Sequence, residues 1–223
     1  MTLATAQIPP VERAEPDALR DRPYRMSYAT YERIAELGLI RPEEHVVLLD
    51  GILVHSMTKG PDHSLAMLRG QDVLRNACPP GWHVRPEQPI ALPNEQGGDS
   101  APEPDLSVAV GTIDRYPSRH PGIGEVGLVV EVATTGAMLS RDRSGLARYA
   151  FAGIPTVWIV TLYDRKVHIH TEPSGPTASP GYARVAVKQA GDLIEASLPP
   201  TGEGRPPAAL GPIAVASFFP PAA

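Results

Sequence analysis

Pro102-Glu103-Pro104-Asp105-Leu106-Ser107-Val108-Ala109-Val110 sets one carboxylate, Asp105, at the head of an apolar run. Val126-Gly127-Leu128-Val129-Val130-Glu131-Val132-Ala133 sets a second, Glu131, inside another. Both runs read as buried strands. A carboxylate in such a place is costly unless it is paired, hydrogen-bonded or bound to a cation. Two of them about 25 positions apart can meet on neighbouring strands, so Asp105 and Glu131 are expected to share a divalent cation.

Further strands and helices surround this pair. Val46 to Val54 reads as a β-hairpin with an Asp50-Gly51 turn. Asp50 has two readings, a turn residue or a third metal ligand pointing inward. Upstream, Ser27 caps a helix over Tyr28–Leu37 that stops at Gly38. Pro61-Asp62-His63 opens a helix to about Asn76, with Asp62 as a candidate cap and Ala66, Leu68, Val73 and Leu74 as apolar contacts. His63 at its start is either a capping or surface histidine or a catalytic one. Trp82 to Leu92 alternates as a strand, which makes Gln88 an inward polar residue and a candidate hydrogen-bond partner of the site.

Downstream of Glu131, a helix is expected over Arg141–Ala152, with Arg141, Arg143 and Arg148 outward. Val157 to Leu162 is a third apolar run, and Val167-His168-Ile169-His170-Thr171 returns from it as a hairpin. His168 and His170 read as decoration of the solvent face of an edge strand. Tyr182–Val187 and Leu193–Leu198 are weaker strands. The elements add up to an α/β or α+β sandwich around a mixed sheet. Residues 1–25 read as a flexible arm, 26–200 as one domain, and 201–223 as a Pro/Ala-rich tail in which Ile213, Val215, Phe218 and Phe219 are able to dock.

Composition excludes several classes. With 223 residues the chain can fill one core. Net charge is −5, so the bulk basic footprint of a nucleic-acid binder is missing, although a metal and a local arginine patch can replace it. One cysteine, Cys78, rules out an internal disulfide and fits a reducing compartment. No apolar stretch is long enough to span a membrane, and the N-terminus lacks a signal-peptide pattern. A cytoplasmic location is the expectation.

Two strand-borne acids suit a hard cation such as Mg²⁺ or Mn²⁺, which needs only one or two carboxylates plus waters and a substrate phosphate. Such an ion activates water and polarises a phosphoryl oxygen. A nearby Lys or Arg would stabilise the added charge of the transition state.

The order of motifs is more specific than the spacing. Leu48-Leu49-Asp50-Gly51, Pro61 and His63, Val84 with Glu87-Gln88-Pro89-Ile90, Pro102-Glu103-Pro104-Asp105-Leu106, Leu128-Val129-Val130-Glu131-Val132, Asp142-Arg143, Tyr149-Ala150, Ala152-Gly153-Ile154-Pro155 and Trp158-Ile159-Val160 follow one another. Over about residues 26–200 this series resembles the Uma-type family of restriction endonucleases, within the PD-(D/E)XK nuclease superfamily. The resemblance implies a restriction-endonuclease-like fold, with a central mixed sheet flanked by helices. It implies a metal-dependent endonuclease acting on DNA, with Asp105 and Glu131 as catalytic, metal-binding acids. Asp50 is a further acid of the set, and Gln88, Glu103, His63, Arg143 and Arg148 are supporting residues. Cutting two strands often uses two sites, so a homodimer is also an expectation.

The sequence departs from that pattern in two places. Val47 stands where many members carry Glu. The superfamily lysine two residues after Glu131 is Ala133 here, and the helix position that usually offers one instead is Gly145. No lysine lies between Lys59 and Lys166. Arg143 or Arg148 is left to supply the charge, and a guanidinium cannot act as a base near neutral pH. Two alternatives therefore stand beside the nuclease reading. One is a degenerate relative that keeps the scaffold and binds nucleic acid or a protein partner. The other is a purely structural acid pair.

Overall fold

The computed structural model describes residues 24–56, 59–94, 97–200 and 206–220; most of the expected N-terminal arm lies outside them. Helix α1 (Tyr28–Glu36) begins at Ser27, whose hydroxyl accepts from the Thr30 amide. The hairpin β1 (Val46–Leu49) and β2 (Ile52–His55) follows. Helix α2 spans Pro61–Ala77, and β3 (Trp82–Pro86), β4 (Leu106–Val110) and β5 (Val126–Ala133) come next. Helix α3 (Gly136–Phe151) leads to β6 (Thr156–Thr161), β7 (Lys166–Pro173), β8 (Tyr182–Gln189), β9 (Leu193–Leu198) and β10 (Ala208–Ala214).

The central sheet has the order β3-β4-β5-β6-β7-β8. Only β5 and β6 run parallel; the other pairs are antiparallel. A parallel pair needs a crossover, and α3 provides it. This is the expected mixed sheet flanked by helices.

Strand alternation sorts side chains onto two faces. Leu106, Val108, Leu128, Val130, Val132, Trp158 and Val160 pack on one, with α2 and the β9–β10 hairpin. Val129, Val157 and Ile159 pack on the other, against Leu139 and Tyr149 of α3 and Ala152 at its C-terminal cap. Asp105 comes just before β4 and Glu131 lies near the end of β5. Register pairs Leu106 with Val130, which brings the two acids to the same end of adjacent strands.

The docking expected of Ile213, Val215, Phe218 and Phe219 is seen: β10 pairs with β9, and Phe218 and Phe219 are each 1% exposed beside Trp158. Other expectations are corrected. His168 and His170 are buried, not on a solvent face, because β7 is an inner strand with β8 beyond it. Helix α3 starts earlier than expected, capped by the Thr135 hydroxyl. Helix α2 is capped at Gly60 with Pro61 in its first turn, so Asp62 is not the cap, and Met67 rather than Leu68 faces the core. Strand β3 ends at Pro86, and Gln88 beyond it is exposed.

The Asp50-Gly51 turn is a docking point as well as a hairpin turn. Gly51 sits at φ 75°, and a Cβ there would lie 2.6 Å from the Arg25 Cβ. The Met26 amide donates to the Gly51 carbonyl at 2.9 Å. Among the described residues, no helix is long and apolar enough to cross a membrane.

Candidate active site

Asp105 and Glu131 meet at one end of the sheet and line the same pocket, about 360 Å³ in volume. Its walls come from the first hairpin (Val47, Leu49, Val54), the Pro102–Asp105 approach to β4, and α3 (Met138, Asp142, Arg148, Tyr149). The Asp105 amide faces Glu131 Oε2 at 3.4 Å.

Asp105 is held on every side. Its Oδ2 accepts from the Val132 amide at 2.7 Å and lies 3.0 Å from His63 Nε2. Its Oδ1 accepts from Lys59 Nζ at 2.6 Å. Burial works to raise its pKa, but the His63 hydrogen bond and the Lys59 charge outweigh it and hold Asp105 below the usual carboxylate range. Lys59 also donates to Glu87 Oε1 at 2.8 Å. Burial opposes its charge, but Asp105 and Glu87 together raise its pKa.

Glu131 is in the opposite condition. Burial, then the charges of Asp105 and Asp142, push it well above the usual carboxylate range. Tyr149, itself buried, donates to its Oε1 at 2.7 Å and leaves Oε2 toward Asp105. Asp142 on α3 is pushed up to about 6, mainly by burial and against the pull of Arg141. Its Oδ2 is buried with no partner.

These oxygens fit a hard cation. Glu131 Oε2 faces the Asp105 backbone amide, and Asp142 brings an orphaned buried oxygen to the same pocket, so acidic oxygens converge there. Among the described residues no group of three or more His, Cys, Asp or Glu side chains has metal-holding geometry. A Mg²⁺-type site needs fewer, since waters and substrate oxygens complete its shell.

The other candidates separate into two groups. His63 is 1% exposed and touches Asp105, so it is neither a surface nor a capping residue. Glu103 is exposed at the pocket wall, close enough to Lys59 and Glu87 to feel both charges. Asp50 does not join the pair: it sits in the hairpin turn at φ 51°, and Arg148 clamps its carboxylate with contacts of 2.7 and 3.0 Å. The turn reading of Asp50 is thus the one the geometry takes. That clamp also commits Arg148. Arg143 is exposed on the side of α3 facing His168 and His170, whose protonation it opposes. Neither arginine contacts Asp105 or Glu131.

Sequence reasoning missed Lys59, Glu87 and the orienting role of Tyr149. Glu87 lies just after the end of β3, where its φ of 47° breaks the strand alternation. In the sequence Lys59 marks only the edge of a lysine-free interval. The Gly60-Pro61 helix start beside it was the available signal, since it fixes where the preceding side chain emerges.

Comparison with known proteins bears on the family and the fold. The family model "Uma2: Putative restriction endonuclease" matches residues 28–203. The crystal structure of "a putative nuclease belonging to DUF820" from Anabaena variabilis is similar in fold, with a TM-score of 0.54 at 13% identity. That likeness covers 82% of this chain and 94% of the other. No curated protein matches the chain.

Proposed function

This chain belongs to the Uma2 family, and from that premise we propose that it is a metal-dependent endonuclease hydrolysing phosphodiester bonds in DNA. The observation that carries the reading is Lys59 Nζ at 2.6 Å from Asp105, in a pocket that also holds Glu131. The ammonium that Ala133 and Gly145 fail to supply comes from ahead of α2.

Asp105 and Glu131 would hold Mg²⁺ or Mn²⁺, which supplies Lewis-acid polarisation and an activated water. The protein's own groups do the remaining work. The Val132 amide and His63 fix the Asp105 carboxylate so that its orientation is set before substrate arrives. Tyr149 fixes Glu131 in the same way. Lys59 stands where a phosphoryl group would add negative charge and can donate to a non-bridging oxygen as that charge grows. Glu87 keeps the Lys59 ammonium in place and charged. The hairpin residues Val47, Leu49 and Val54 form an apolar wall that limits water and strengthens these interactions.

Supercoiled plasmid and single-stranded DNA, incubated with Mg²⁺ or Mn²⁺ and separately with EDTA, test the reading. Metal-dependent cleavage that Asp105→Asn and Glu131→Gln both remove is the expected result. Saturable metal binding with no cleavage of either DNA would instead leave a binding scaffold. Cutting both strands of a duplex with one such pocket per chain favours a homodimer, which sedimentation on DNA would reveal.

A further inference from the structure

Arg85 is a buried cation without an anion. It lies on β3, 9% exposed, and its side chain leaves the sheet on the face opposite Trp82 and Val84. Among the described residues no carboxylate lies within ion-pair distance of it. Its neighbours Arg115 and Arg119 differ: both reach Glu125, Arg119 through contacts of 2.6 and 2.7 Å. Among the described residues Arg85 has one polar contact, its Nη2 at 3.4 Å from His120 Nδ1, and its guanidinium lies 5.4 Å from the Tyr116 ring centroid. Its Nε is buried with no partner.

The surroundings repeat the pattern. Ser107 is directly opposite Arg85 in the β3–β4 register, fully buried, and its hydroxyl has no partner. His83, two residues earlier on β3, has a buried Nε2 with no partner. Burial, and then the Arg85 charge among other contributions, holds His83 and His120 below the ordinary histidine value. Glu32, 3.6 Å from His120 Nε2, brings a negative charge to the histidine, while Glu125 is engaged by Arg115 and Arg119. A desolvated guanidinium with orphaned donors beside it is expensive unless something negative completes it.

We propose that Arg85, Ser107 and His120 form a phosphate-binding site, separate from the carboxylate pocket. A guanidinium donates to two phosphate oxygens at once, and a serine hydroxyl adds a third donor. The ligand is a phosphate group, either free inorganic phosphate or the terminal phosphate of a nucleic-acid strand. None of the three residues lines the carboxylate pocket, so the site does not depend on hydrolysis.

Calorimetric titration of the full chain with inorganic phosphate, in EDTA at constant ionic strength, tests it. Saturable binding of one phosphate per chain is expected, weakened about tenfold or more by Arg85→Gln and less by Ser107→Ala. Glu131→Gln should leave it unchanged, which separates this site from the nuclease reading. Absence of saturable binding overturns the proposal, as does equal binding by Arg85→Gln. Should Arg85→Gln fail to fold, Ser107→Ala carries the test: weakened binding supports the site and unchanged binding overturns it. Displacement of phosphate by a 5′-phosphorylated oligonucleotide but not its 5′-hydroxyl counterpart assigns the ligand to a strand end. Displacement by neither assigns it to free phosphate, and both results uphold the site.

Discussion

Lys59 Nζ lies 2.6 Å from Asp105 Oδ1, across 46 positions of sequence. The contact places an ammonium beside the acid that heads β4, and Glu87 holds the same ammonium from the other side at 2.8 Å.

Replacing Lys59 should slow cleavage without removing metal. Lys59→Ala is expected to reduce single-turnover cleavage by about 10²–10³-fold, the usual scale for losing one group that stabilises transition-state charge. Calorimetric Mn²⁺ binding should be retained or tightened, because Asp105 loses a competing cation. Cleavage at the wild-type rate would remove Lys59 from the mechanism.

Tyr149→Phe deletes the hydroxyl that orients Glu131. A hydrogen bond to a charged group contributes about 1.5–3 kcal/mol, so cleavage should fall roughly ten- to a hundredfold. The pocket's shape should survive, since the ring still packs from α3 onto the sheet residues Val129, Val157 and Ile159. Circular dichroism melting together with the cleavage rate distinguishes a lost orientation from a lost fold.

The Asp50–Arg148 clamp predicts stability effects of modest size. Both side chains are partly exposed, at 40% and 28%, so solvent screening limits the pair to about 1 kcal/mol or less. Asp50→Ala and Arg148→Ala should each lower urea stability by roughly that amount, and the double variant by little more. Loss of Mn²⁺ binding in Asp50→Ala would restore it to the ligand set.

His170 should make the fold acid-sensitive. It is 6% exposed, and burial, with His168 and Arg143 nearby, pushes it down to about 4. The unfolded chain takes up this proton near pH 6.5, whereas the folded chain resists it. The contribution of the neutral ring is therefore fully present above pH 6.5 and lost as pH falls toward about 4. The span is on the order of 2–3 kcal/mol. Urea denaturation between pH 7 and 4.5 should show a smaller stability loss in His170→Gln than in the wild type.

Phe218→Ala should destabilise by about 3–5 kcal/mol, the scale of a large aromatic removed from a packed core. The ring meets Trp158 edge-on at 6.3 Å between centroids. A loss under 1 kcal/mol would mean that the segment after β10 is only loosely attached.

The strands were legible because their signal is local. Apolar alternation and turn residues at Asp50-Gly51 and Gly153-Ile154-Pro155 lie within a few positions of what they specify. The same holds for Asp105 and Glu131, since a carboxylate beside an apolar run is anomalous on its own. His168 and His170 misled for a related reason. Alternation says that they share a face, but not whether another strand lies beyond β7.

Sequence alone determined the sheet, the crossover helix and the two acids, because period, capping and burial preference are written into neighbouring residues. Tertiary structure decided which charges reach those acids. Lys59 and His63 come from the start of α2, Glu87 from the end of β3, and Asp142 and Tyr149 from α3. Asp50 was taken away by Arg148. Side chains from such distant positions meet only when the sheet and its covering helices are packed, and no local pattern encodes that geometry.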